Sequence, residues 1–249
     1  MTAGHDVTVR HVAPRAGQAV SDPKREFTLS AVLMVGGFVL NGVVTLAFHP
    51  SVESDDHEVI FTEYADSGAW VATHIGQFAG VLLGLGGLYV LARALRAEAP
   101  HLAAFAAAGA VTTAAIWAVV QAVDGVALKH AAEAWLTAPH AEEASRFATA
   151  ETVLWMEWGV QSYFHMMYGV TVILLGAAVA VSRLFGAWIG WVAVAAGVLS
   201  LAIGIDVGYR GLESGFHDVT SVGYQLLVLL FVVGILTTEL RSRALPASR

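Results

Sequence analysis

The sequence predicts an all-α fold: a polytopic transmembrane bundle of six helices with both termini cytoplasmic. Three observations carry that expectation. Six apolar runs, roughly 27–48, 70–92, 103–127, 153–182, 185–208 and 219–239, each match the thickness of a bilayer. A spanning helix needs about 20 mostly apolar residues, because each residue rises about 1.5 Å and the backbone must satisfy itself in hydrocarbon. Apolar residues make up 57 % of the 249 and charged ones only 13 %, about half the charge of an ordinary soluble domain. The basic residues are also sorted by side, as the preference of Lys and Arg for cytoplasmic loops requires.

The elements follow in order. Residues 1–26 form a polar tail with Arg10, Arg15, Lys24, Arg25, Pro14 and Pro23, expected to be disordered and cytoplasmic. It lacks the roughly 7–15-residue apolar core of a signal peptide, so span one reads as a retained span. The transmembrane domain is expected over 27–240, with 241–249 a second cytoplasmic tail. Residues 49–69, between spans one and two, are acidic and hold no Lys or Arg; they read as a solvated, partly helical cover or a lid. Asp66-Ser67 is the expected N-cap of span two. A short connection from Arg93 to about Leu102 leads to span three. Residues 128–152 contain Pro139 and an alanine- and acid-rich stretch expected to lie as an interfacial helix before span four. A tight turn at Arg183–Phe185 leads to span five, and span six closes the bundle.

With the N-terminus inside, ten of the thirteen Lys and Arg residues fall on the cytoplasmic side, leaving Lys129, Arg146 and Arg210 outside. Most acids fall outside. This predicts a multi-pass protein of the cell membrane, with the lipid bilayer as its first partner. Trp70, Trp135, Trp155, Trp158 and Tyr209 are expected at the outer headgroups. The pairs Gly80 and Gly84, Gly186 and Gly190, Gly204 and Gly208 are small residues four apart, which let helix backbones approach in lipid.

Ionisable groups inside spans are costly, about 2.5 to 3.5 kcal/mol at a helix centre, so those present are expected to face a cavity or a partner. Here they gather in the outer half: His74 on span two, Asp124 on span three, Glu157 and His165 on span four and Asp206 on span five, with His49 and His217 at span ends. Glu157, Gln161 and His165 share one face of span four, as Asn41, Thr45 and His49 do on span one. His74 and Gln77, Gln121 and Asp124, and His217, Ser221 and Tyr224 form similar stripes. The pattern predicts a polar pocket opening outward.

Histidines and carboxylates from several helices resemble the mixed sets that hold divalent metals such as zinc. The predicted metal ligands are His74, Glu157, His165, Asp124 and His217, with Glu157 and Asp124 the catalytic candidates for a hydrolase or oxidoreductase. The other readings are a transporter for a proton or small solute, and a non-catalytic sensor or assembly protein whose polar residues hold the helices together. The substrate would be a small polar or lipid molecule reaching the pocket from outside. A haem would require His74 and His165 as axial ligands at matched depth, and is the weaker cofactor reading. Met156, Met166 and Met167 are soft copper ligands or apolar filler. Lys129 and His130, just past Asp124, read as an interfacial salt-bridge and snorkelling pair, or as an anion site for a lipid headgroup. The absence of cysteine removes disulfides and thiol chemistry, and the dispersed basic residues argue against nucleic acid.

The stretch from His49-Pro50 through the acidic loop to Trp70 and His74-Ile75-Gly76-Gln77-Phe78, then Gln121 to Lys129 and Glu157-Trp158-Gly159, resembles uncharacterised six-span integral membrane proteins common in actinobacteria. The resemblance covers most of the chain after the tail. It implies a six-span bundle and carries no activity.

Overall fold

A computed structural model describes residues 23–50, 56–212 and 214–244. The tail expected over 1–22 and the last residues, 245–249, lie outside the described residues. The described chain forms α1 (Pro23–Phe48), α2 (His57–Asp66), α3 (Trp70–Ala94), α4 (Pro100–Ala122), a π-helical turn (Val123–Leu128), α5 (Lys129–Leu136), α6 (Glu143–Val181), α7 (Ala187–Arg210) and α8 (Gly215–Ala244), with no strand among them. Six helical stretches are long and apolar enough to cross a membrane: α1, α3, α4 continued through the π turn and α5, α6, α7 and α8.

Sequence neighbours become spatial neighbours. In turn, α1 packs on α3, α3 on α4, α4 on α6, α6 on α7 and α7 on α8, and a sparser contact between α8 and α1 closes a ring. Only 17 % of the apolar stretch of α1 and 22 % of that of α8 is buried, against 39–44 % in the four helices between them. The tightest approaches run through glycine. A Cβ on Gly37 would lie 2.4 Å from the Gly80 carbonyl and 2.5 Å from the Gly84 nitrogen, so α1 can meet α3 here only without one. The Gly176–Gly190 contact joins α6 to α7 in the same way. Of the pairs expected from sequence, Gly186 is the exception: it precedes α7 and meets only Trp188.

Spans three and four are longer than expected. The helix from Pro100 to Leu136 has 37 residues and α6 has 39, about 55–58 Å at 1.5 Å per residue. A hydrocarbon core is only about 30 Å thick. The segment expected as an interfacial helix is instead the continuation of span three and the start of span four, joined around Pro139. Their projecting ends carry α2. Ile60 and Phe61 of α2 pack with Leu128, Ala132, Ala150 and Leu154 into a small core of their own, with Trp135 and Phe147 against it. The acidic segment is therefore a docked helix over part of its length: Asp56 caps α2 by accepting from the Glu58 N–H at 2.9 Å, and His57 Nδ1 meets Glu151 of α6 at 2.9 Å. Residues 51–55 of that segment lie outside the described residues.

Two local expectations fail for the same reason. Asp66 and Ser67 do not cap α3, whose N-cap position is Ala69 with no side-chain bond, because they end α2 instead. Trp70 is buried beneath α2 rather than at a headgroup, whereas Trp155 and Tyr209 are exposed. α2 marks one end of the bundle; α1 begins and α8 ends at the other.

Candidate functional site

The π turn matters because it carries Asp124. Such turns are rare and concentrate at functional positions. Gly125 follows, and a Cβ there would lie 2.6 Å from the His74 Cβ, so its absence lets α3 seat His74 directly against the turn. His74 is 2 % exposed. Its Nδ1 lies 2.8 Å from the Trp70 carbonyl and its Nε2 3.0 Å from Asp124 Oδ2. Trp70 Nε1 donates to the Asp124 carbonyl at 3.2 Å, so one tryptophan braces both partners. Tyr64 of α2 stacks on Trp70 with ring centroids 4.2 Å apart, and the His49 ring lies 5.4 Å from that of His74.

Glu157 of α6, 2 % exposed, completes this cluster. Asp124 is its charged neighbour and Gln161, one turn along, its polar one; its Oε1 is buried with no partner. His49 lies just beyond α1, outside the spans. Burial holds its imidazole below the usual histidine value and the adjacent His74 pushes the same way, outweighing the Pro50 carbonyl bond and the more distant Asp124 charge.

Lys129 is not the partner of Asp124. Its Nζ donates to the carbonyls of Tyr64, Ala65 and Ser67, at 3.0, 2.5 and 3.1 Å, and pairs with Glu133 at 3.2 Å. A cation on the last carbonyls of α2 completes bonds that a helix C-terminus leaves open and meets the negative end of its dipole. With every Nζ proton engaged, the headgroup reading of Lys129 loses its donor.

His165 and His217 belong to a different place. Ser200 of α7 donates to the His165 carbonyl at 2.8 Å and lies 3.5 Å from its Nδ1. His217 Nε2 lies 3.4 Å from Ser221 Oγ, and its Nδ1 is buried without a partner. Asp206, between them in sequence, pairs with Arg210 at 3.3 Å and accepts from Ser214, whose Oγ in turn caps α8 through the His217 N–H at 3.0 Å.

The five predicted metal ligands thus divide, with His74, Asp124 and Glu157 together and His165 and His217 apart. Among the described residues no group of three or more His, Asp or Glu side chains is arranged to hold a metal ion. His74 offers no free ring nitrogen, since one faces Trp70 and the other Asp124; the same engagement removes it as a haem ligand. Met156 is exposed and Met166 packs at the Gly204 contact with α7, as apolar filler would.

A feature the sequence did not outline lies further into the bundle. A cavity of about 430 Å³ is bounded by all six spans. Asn41 and Thr45 of α1, Gln161, His165 and Tyr168 of α6, and Tyr224 and Gln225 of α8 line the part nearer α2, alongside Leu46, Trp117 and Phe164. Met34, Leu85, Leu88, Val172, Phe231 and Val232 line the part nearer the termini. No Asp, Glu, Lys or Arg lines it among the described residues. Gln161 touches both this cavity and Glu157, and Gln77 donates to the lining Thr45 at 3.0 Å. Gln121 lies instead on a second cleft, of about 240 Å³, between α3 and α4. The polar stripes are therefore divided among the cavity, the cleft and the cluster beneath α2. The missed signal was the apolar half: Met34, Phe231 and Val232 look like any lipid-facing residue until the ring closes.

Comparison with protein-family models, with curated proteins and with solved structures finds no match to this chain.

Proposed function

We propose that this multi-pass membrane protein binds a neutral amphiphile inside its helix ring, the polar head toward Asn41, Gln161 and His165 and the apolar portion toward Met34 and Phe231. The observation that carries this reading is the cavity's gradient from amide, hydroxyl and imidazole groups to aliphatic and phenyl groups along a single axis. Its volume falls in the range of about 300–1,000 Å³ typical of small-molecule sites, and such sites pair a mostly apolar wall with a few placed polar groups. The lack of fixed charge selects against ionic heads, because an uncompensated ion in a low-dielectric site is strongly disfavoured. The metal-dependent hydrolase or oxidoreductase has no comparable support, since its ligands do not assemble.

A matched series of decyl probes tests the reading with the full chain in nanodiscs. Decanol should bind saturably, whereas decanoate and decyltrimethylammonium should bind at least tenfold more weakly, and filling the cavity by Val228→Trp should abolish binding. Equal binding of all three, or binding that survives Val228→Trp, overturns it.

The α2 end is assigned to the outer face by the distribution of Lys and Arg. Because the chain has no cysteine, His140→Cys and Arg183→Cys give clean single-site probes. An impermeant maleimide applied to intact cells should label the first and spare the second; the reverse would invert the orientation.

A further inference from the structure

The cluster beneath α2 has a proton inventory that its geometry dictates. The Trp70 carbonyl can only accept, so His74 Nδ1, 2.8 Å away, carries a hydrogen. The other ring nitrogen faces a carboxyl oxygen at 3.0 Å. Two lone pairs repel at that distance, so one further proton lies between them, whether the pair is imidazolium with carboxylate or imidazole with carboxylic acid. Either way His74 and Asp124 together are neutral. Glu157, on the helix packed against the Asp124 turn and with Asp124 as its charged neighbour, is 2 % exposed with one oxygen lacking any partner. One imidazolium balances one carboxylate, which leaves the second carboxylate without a cation. The nearby Lys129 is engaged by three carbonyls of the α2 end and by Glu133, His57 is paired with Glu151, and the His49 ring, 5.4 Å from His74, has its Nδ1 on the Pro50 carbonyl. Two adjacent carboxyl groups in so dry a place do not both ionise.

We propose that His74, Asp124 and Glu157 form a buried proton-binding site, with one proton locked between imidazole and carboxyl and a second, exchangeable one carried by Glu157. Its release breaks one O–H bond and leaves the cluster with one net negative charge; its uptake restores neutrality. Gln161 places this carboxyl next to the cavity, and the open carboxyl oxygen is where a proton carrier such as water would bond. The site stands on its own geometry whether or not the cavity holds a ligand, so failure of the amphiphile reading leaves it intact.

Infrared spectroscopy of the full chain in nanodiscs at neutral pH reads this directly. The wild type should show a carboxylic-acid C=O stretching band that shifts in D2O. Glu157→Gln should lose the Glu157 component, Glu157→Asp should keep it at a shifted frequency, and Asp206→Asn should leave the absorption unchanged. Helical circular dichroism identifies the folded samples, and Glu157→Asp covers the case in which the amide variant fails to fold. A folded wild type with no acid band, or acid absorption that Glu157→Gln leaves undiminished, overturns the proposal.

Discussion

Two aspartates close the α2 end of two spans, and each is followed within five residues by a cation. Asp206 of α7 takes the cation that follows it: Arg210 pairs one helical turn on, at 3.3 Å, and Ser214 ties the carboxyl to the start of α8. Asp124 does not. Its own candidate, Lys129, turns away to the open carbonyls of α2, and Asp124 instead crosses to His74 on another helix. The same sequence pattern therefore yields a pair with an exposed arginine on the same helix in one place and a pair with a buried histidine on another helix in the other. A carboxylate bonds whichever donor the surroundings leave free. α2 decides which that is, by taking the lysine and by roofing over Trp70 and His74.

That comparison can be broken experimentally. The largest effect is expected at the buried pair: Asp124→Ala leaves an enclosed imidazole unpartnered and should cost about 3 kcal/mol. Asp206→Ala loses a pair to an arginine that is 66 % exposed, although the carboxylate itself is 8 % exposed, and should cost less, about 1 kcal/mol, while Ser214 still caps α8 through the His217 N–H. Reversible unfolding in mixed SDS micelles measures both, and equal losses would remove the distinction between the two pairs.

A smaller effect belongs to His49, which flanks the buried pair. Its folded-state value lies below the ordinary one because burial disfavours the imidazolium, so the unfolded chain binds more protons in the window between the two values. Stability should therefore fall as pH is lowered from above about 6.5 through the folded-state value, and level off below it. His49→Gln should flatten that acid loss, measured as the difference between the variant and wild-type pH profiles. An identical pair of profiles would show that the ring is solvated in the native protein.

How much was legible beforehand depends on which physical constraint was at work. The six spans were legible because hydrocarbon admits no unsatisfied backbone, and 20 consecutive apolar residues are the trace of that demand. The shared face of Glu157, Gln161 and His165 was legible too, since helical spacing alone places them there. What those groups bond to was not. Periodicity aligns residues along a helix axis but leaves the rotation of one helix against another open, and that rotation sends His74 to Asp124 and His165 toward Ser200.

The π turn at Asp124 illustrates the limit. Nothing in Val123-Asp124-Gly125-Val126 distinguishes it from ordinary α-helix, and only the contact between Gly125 and His74 accounts for the glycine there. Similarly, α2 looked like solvated acidic chain because just two of its ten residues, Ile60 and Phe61, are buried. By itself, then, the sequence determined that this chain forms six lipid-compatible helices with titratable groups gathered toward one end, because those are properties of single helices in hydrocarbon. Only the tertiary structure decided which groups meet, that a helix roofs them, and that a charge-free cavity opens below, because a ring closed by six packed helices has contents that no one helix encodes.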